Sequence, residues 1–146
     1  MATVKGCNFP DELFYNVDNN VWVRREADGT VTLGMTAYAA ALAGQIVSCT
    51  PKKVGRGVDK DKSAATVESG KWVGPVKAPV GGEVAAINDA VTSKPATINA
   101  DPYGSGWLVK LKPGSWDTES TGLVTGAAAA AAFEAKMTAE GFAGCQ

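Results

Sequence analysis

The stretch Thr66-Val67-Glu68-Ser69-Gly70-Lys71-Trp72-Val73-Gly74-Pro75-Val76 decides how the chain is read. Ser63 to Glu68 has strand character, Ser69 to Trp72 has turn character, and Val73 to Ala78 is expected to return as a strand. Lys71 therefore sits at the tip of a hairpin. Outward from it, Val21 to Val23 and Thr30 to Leu33 form a second hairpin across Arg24 to Gly29, where Asp28-Gly29 supplies the turn. Thr36 is placed to cap a short helix over Ala37 to Leu42, with Gly44 ending it and Gln45 to Cys49 resuming as strand. Val54-Gly55-Arg56-Gly57-Val58 turns the chain again, and Gly81-Gly82 opens a further strand at Glu83 to Ile87. Gly44-Gln45-Ile46-Val47 and Gly82-Glu83-Val84-Ala85 echo each other, which suggests two similar halves with the Lys71 hairpin near their junction. Asn99 to Gly106 reads as a turn-rich loop before a closing strand at Trp107 to Leu111.

Beyond Pro113-Gly114 the chain changes character. Ala127 to Ala132 and Phe133 to Met137 are strong helix formers without an internal proline, so a C-terminal helix is expected, stopped by Gly141 or Gly144. Leu123, Val124, Phe133 and Met137 are expected to dock it on the β module.

Composition narrows the function. A chain of 146 residues, 45% apolar, suits one domain, read here as residues 1–146. Fourteen basic against fifteen acidic residues give a net charge of -1 without a basic stripe, which argues against nucleic acid. No signal peptide or membrane-length apolar run is present, so a cytoplasmic, monomeric protein is expected. The sequence has no histidine. That removes Ser-His and Cys-His pairs and the commonest metal ligand, leaving no catalytic or metal-ligating residue to nominate and raising the prior for a carrier. Cys7, Cys49 and Cys145 are an odd number without metal-ligand spacing. Cys49, in an apolar β segment, is expected to be structural; Cys7 and Cys145 are expected as reduced thiols on accessible tails, with sulfur exchange or closure into a disulfide as the alternative.

Glu68-Ser69-Gly70-Lys71, followed by Pro79-Val80-Gly81-Gly82-Glu83-Val84, resembles the H protein of the glycine cleavage system and related lipoyl domains. Trp22-Val23-Arg24, Thr32-Leu33-Gly34-Met35-Thr36 with Tyr38-Ala39, and Asp101-Pro102-Tyr103-Gly104-Ser105-Gly106-Trp107-Leu108 extend the resemblance over roughly Val21 to Pro113. It implies a mainly β, lipoyl-type barrel-sandwich hybrid with a short internal helix and a C-terminal α-helix. On that reading residues 21–113 are the lipoyl module, 1–20 an N-terminal extension and 114–146 a C-terminal helical one. It also implies lipoate, amide-linked to Lys71, attached by a lipoate-protein ligase or another lipoylation enzyme and reoxidised by dihydrolipoamide dehydrogenase. Without the flanking matches Lys71 would read as an ordinary solvated lysine. Biotinyl domains share the architecture but usually place methionines beside the lysine, where this chain has Gly70 and Trp72.

The hairpin also departs from the H protein. After the lysine that family usually continues with two small residues and Ser-Asp, whereas this chain reads Trp72-Val73-Gly74-Pro75-Val76-Lys77. Asn20 or Val21 stands where His-Glu often precedes Trp22. The Glu-Ser-Gly-Lys-Trp-Val-Gly-Pro run is similar to the lipoate-binding proteins of heterodisulfide-reductase-like sulfur oxidation, which also carry cysteines at the positions of Cys7 and Cys145. That resemblance implies a carrier of sulfur intermediates or electrons serving a heterodisulfide-reductase-like complex. The alternatives are a glycine cleavage carrier of the aminomethyl group and an unmodified structural adaptor. Trp72 reads either as a docking face or as core, and Lys77 as an attractor of anions or as a solvated cation.

Overall fold

The computed structural model describes residues 2–145. In chain order the elements are β1 (Ala2–Val4), β2 (Cys7–Phe9), β3 (Phe14–Asn16), β4 (Val21–Arg25), β5 (Val31–Met35), α1 (Ala37–Ala43), β6 (Ile46–Pro51), β7 (Gly57–Val58), β8 (Ser63–Ser69) and β9 (Val73–Lys77). They continue as β10 (Gly82–Ile87), α2 (Asp89–Ser93), α3 (Thr97–Ala100), β11 (Val109–Pro113), α4 (Trp116–Glu119) and α5 (Gly126–Glu140). A six-stranded sheet runs β3-β4-β5-β11-β10-β7, a three-stranded sheet runs β6-β8-β9, and β1 pairs with β2. The two larger sheets bury Val21, Val23, Leu33, Val84 and Leu111 from one against Ile46, Cys49, Ala65, Val67 and Val76 from the other. The chain is thus mainly β, a barrel-sandwich with a short internal helix and a C-terminal one.

The expected elements form for the expected reasons. The Thr36 hydroxyl accepts from Ala39 N at 3.1 Å and caps α1, and Gly44 ends that helix at φ 82. The first hairpin pairs Val21 with Met35 and Arg25 with Val31. The echo between Gly44-Gln45-Ile46-Val47 and Gly82-Glu83-Val84-Ala85 has a structural counterpart: the register of β6 slips between Ile46 and Ser48, and that of β10 between Val84 and Ala86, so the bulge falls at the same place in each segment. The closing strand begins two residues later than expected, at Val109. The turn-rich loop holds a short helix at its start, α3, and α4 is an added turn of helix.

The six-stranded sheet is covered on both faces, so β4 buries consecutive residues instead of alternating ones. Val21 and Val23 face the main core, while Trp22 faces a second cluster formed with Phe9, Tyr15, Tyr38 and α5. Trp22 fits because its cross-strand partner is Gly34, where a Cβ would lie 2.9 Å from the indole. Helix α5 docks through Ala129, Phe133 and Met137, spaced four apart on one stripe. Phe133 stacks on Phe9 with ring centroids 4.4 Å apart. Val124 pairs with Tyr15 through backbone hydrogen bonds of 2.8 and 3.0 Å, and Leu123 packs against the main core. Gly141, at φ 69, ends the helix and turns the tail back.

That returning tail corrects the expectation for two cysteines. Cys7 is fully buried and forms a disulfide with Cys145, with Cα atoms 5.0 Å apart. The β1–β2 hairpin and the tail are packed against each other: Cys145 N donates to Lys5 O at 2.9 Å, and Phe142 lies edge-on to Tyr38, centroids 4.7 Å apart. Neither segment is a free tail, and packing brings together residues 138 positions apart that sequence spacing cannot pair. Cys49 is a free, buried thiol, as expected, and burial pushes its pKa up to about 11.

Candidate functional site

The β8–β9 hairpin pairs Glu68 with Val73, Val67 with Gly74 and Ala65 with Val76. Four residues, Ser69 to Trp72, close it. Ser69 N donates to Trp72 O at 2.7 Å, and the Ser69 hydroxyl accepts from Lys71 N at 3.3 Å. Serine serves here because its side chain satisfies a turn amide that no strand partner can reach. Lys71 is exposed at the tip, and among the described residues its Nζ makes no ion pair or hydrogen bond. Its aliphatic stem rests on Gly44: a Cβ there would lie 3.2 Å from Lys71 Cε, and φ 82 independently favours glycine. The corner from α1 to β6 that carries Gly44 is tied down by Asn99, whose Oδ1 accepts from Ile46 N at 2.9 Å and whose Nδ2 donates to Gly44 O at 2.9 Å. The sequence marked Asn99 only as the start of a loop. Its positioning role rests on contacts more than fifty residues away and had no local signal.

Beside the lysine lies a cleft of about 460 Å³, with Met35, Leu42, Trp72 and Val76 among its apolar walls and Asn19 and Asn20 at its polar end. Trp72 belongs to this cleft and not to the core; it remains 40% exposed, beside Val73 at 62%. Trp72, the last turn residue, shares a face with Gly74 and Val76 of β9. The indole lies along that face, so closely that a Cβ at position 74 would be 2.4 Å from Trp72 Cζ2. Gly74 and Trp72, two positions where the hairpin departs from the pattern it resembles, are therefore one packing arrangement. Pro75 lines the same cleft. Lys77, at the far end of β9, is exposed and opens on a separate polar depression with Lys60 and Asp61.

An exposed, unpaired amine on a turn held by two paired strands, next to a largely apolar cleft, suits a lysine that is modified and then presented. Comparison with known proteins supplies the family. The glycine cleavage H-protein model matches residues 13–136. This chain belongs to the glycine cleavage H-protein family. "Glycine cleavage system H protein 5" of Aquifex aeolicus is 51% identical over 127 residues, covering 85% of this chain and 86% of the relative. "Probable glycine cleavage system H protein 2" of Sulfurisphaera tokodaii is 44% identical, covering 88% of each. The crystal structure of a glycine cleavage system H protein from Mycobacterium marinum superposes with a TM-score of 0.74 at 33% identity, covering 84% of this chain and 97% of that one. Members of this family are lipoyl carriers that hold lipoate on a lysine. Among the described residues, no helix is long and apolar enough to cross a membrane.

Proposed function

We propose that this protein is a lipoyl carrier with lipoate amide-linked to Lys71 Nζ, acting in the cytoplasm as a monomer. The observation that carries the reading is the placement of Lys71: exposed, without an ionic partner among the described residues, and on a turn whose flanking strands are paired along their length. A modifying ligase can approach such an amine while the hairpin itself loses little conformational freedom on docking. When attached, the lipoyl group supplies a disulfide that is reducible to a dithiol and can carry a group on one sulfur. The protein's part is presentation: Ser69 holds the turn, Gly44 and Asn99 set the surface under the lysine stem, and Trp72 walls the adjoining cleft. The tether makes encounters with successive partner sites effectively intramolecular, at effective concentrations on the order of millimolar. A lipoylation enzyme and dihydrolipoamide dehydrogenase are its expected partners.

The family assignment favours a glycine cleavage carrier of the aminomethyl group. A second reading, transport of sulfur intermediates or electrons for a heterodisulfide-reductase-like complex, is favoured by the Trp72–Gly74 arrangement, which fills with indole the space where the H-protein pattern has a serine. Similar chains named H protein 2, 3 and 5 in one organism, Aquifex aeolicus, are consistent with carriers having diverged in role. Incubation with lipoate, ATP and a lipoate-protein ligase should add one lipoyl mass; reconstituted glycine decarboxylation with the modified protein then separates the two cargoes. No mass gain would remove the carrier reading altogether.

A further inference from the structure

The cleft beside Lys71 is electrostatically one-sided. No aspartate or glutamate lines it, and apart from Lys71 its polar side chains are the amides of Asn19 and Asn20. Asp18 and Asp61 line the adjoining depression instead, and Glu68, exposed on β8 before the turn, is not among the residues that line the cleft. Asp61 is engaged there by Lys60 Nζ at 3.2 Å and by Asn19 Nδ2 at 3.3 Å, so the Asn19 amide is already committed. Asn20 is different. It adopts φ 57 at the end of the 17–20 turn, and its carbonyl accepts from Thr36 N at 3.2 Å. Lys136 reaches down from α5 and donates to Val17 O at 2.7 Å, Asp18 O at 3.1 Å and Asn20 Oδ1 at 3.2 Å. With its oxygen turned to the ammonium, the amide presents its NH2 the other way, and among the described residues that NH2 donates to no protein group.

We propose that Asn20, oriented by Lys136, makes this cleft selective for neutral or anionic adducts on the arm and unfavourable to cationic ones. Asn20 is then a specificity-determining residue and Lys136 a positioning residue. An ammonium entering an apolar cleft loses hydration, finds no carboxylate in return, and meets the field of Lys136 one amide away. An anion entering the same space gains a charge-assisted hydrogen bond from the Asn20 NH2 and attraction from that ammonium. A neutral group gains apolar contact with Trp72 at no electrostatic cost. The inference rests on Lys71 carrying the arm, and it favours the sulfur cargo of the second reading over the aminomethyl group, which is an ammonium at neutral pH.

The test uses the full-length protein after intact mass has verified one lipoyl addition, so that failure of the carrier reading is seen first and separately. The arm is reduced and its thiolates are alkylated with iodoacetate, iodoacetamide or 2-bromoethylamine. In each case an S–C bond forms as halide leaves, giving thioethers of similar size that are anionic, neutral or cationic; peptide mass spectrometry locates the label on the arm. Trp72 emission, assigned by comparison with Trp72→Phe, and the Asn20 side-chain amide resonance report seating in the cleft. The anionic and neutral arms should shift both signals. The cationic arm should leave both near their values in the unlipoylated protein, an occupancy at least about tenfold lower, equivalent to about 1.4 kcal/mol. Asn20→Asp, which keeps a residue tolerant of left-handed φ, should reverse the order. Lys136→Met should weaken anion seating, while Lys136→Arg should preserve it. Equal seating of all three arms, seating of none, or an order unchanged by Asn20→Asp in a protein with normal melting would overturn the proposal.

Discussion

The contact between Trp72 and Gly74 makes a quantitative demand on a double-mutant cycle. A Cβ at position 74 would lie 2.4 Å from Cζ2, 2.9 Å from Cε2 and 3.1 Å from Cη2 of the indole, so Gly74→Ala has to lift the ring off the sheet. Trp72 is 40% exposed, and a tryptophan buries about 150–250 Å², so the packed part of this ring amounts to about 100 Å². Returning all of it to water at about 25 cal/mol per Å² sets a ceiling of about 2.5 kcal/mol. Against this, replacing glycine in a strand recovers about 0.5–1 kcal/mol through the unfolded chain. Gly74→Ala alone should therefore destabilise by about 1–2 kcal/mol, whereas the same change in a Trp72→Ala background should be neutral or stabilising. The coupling is about 2 kcal/mol, well above the additivity error of distant sites. Urea unfolding of the four proteins measures it. Additivity within about 0.5 kcal/mol would refute the claim that the two residues form one packing unit, and with it the structural reason for the altered hairpin.

Cys145→Ser opens a loop of 138 residues, for which chain entropy gives a ceiling of about 5 kcal/mol and experience about 2–4; denaturant midpoints should fall accordingly, and an unchanged midpoint would deny the disulfide a structural role. Phe133→Ala removes a ring packed on Phe9, Tyr15 and Tyr38 and should cost about 3–5 kcal/mol in the same assay; a loss below 1 kcal/mol would show that α5 is not docked through it. Because burial raises the Cys49 thiol to about 11, its contribution to stability is complete below the unfolded pKa and is lost as pH rises towards 11. The wild-type melting temperature should thus decline more steeply from pH 9 to 11 than that of Cys49→Ala, and parallel profiles would contradict the assignment.

Local chemistry explains what the sequence made legible. Turn residues and strand alternation announced the Lys71 hairpin, and Thr36 with Gly44 bounded α1, because caps and turns are satisfied within a few residues. The C-terminal helix was legible through its alanines, and its docking stripe only in part. Phe133 and Met137 were legible as docking residues, whereas Ala129, one of six consecutive alanines, carries no local mark of the face it takes. Contacts between remote segments stayed hidden. The Cys7–Cys145 bridge, the Asn99 brace under Gly44 and the Lys136 grip on the 17–20 turn all join segments more than fifty residues apart. Trp72 illustrates the same limit: its two readings differed only in where the ring folds, and that is settled by the room Gly74 leaves.

The central claim is that Lys71, and no other lysine, takes the lipoyl group. Peptide fragmentation mass spectrometry after enzymatic lipoylation tests it most directly, on the wild type and on Lys71→Arg. Arginine keeps the charge but offers no amine for the amide bond, and an exposed tip residue contributes little to stability. The account predicts one lipoyl group per chain, located on Lys71, and an unmodified Lys71→Arg protein with an unchanged melting temperature. A lipoyl group found on another lysine, or retained by Lys71→Arg, would contradict it.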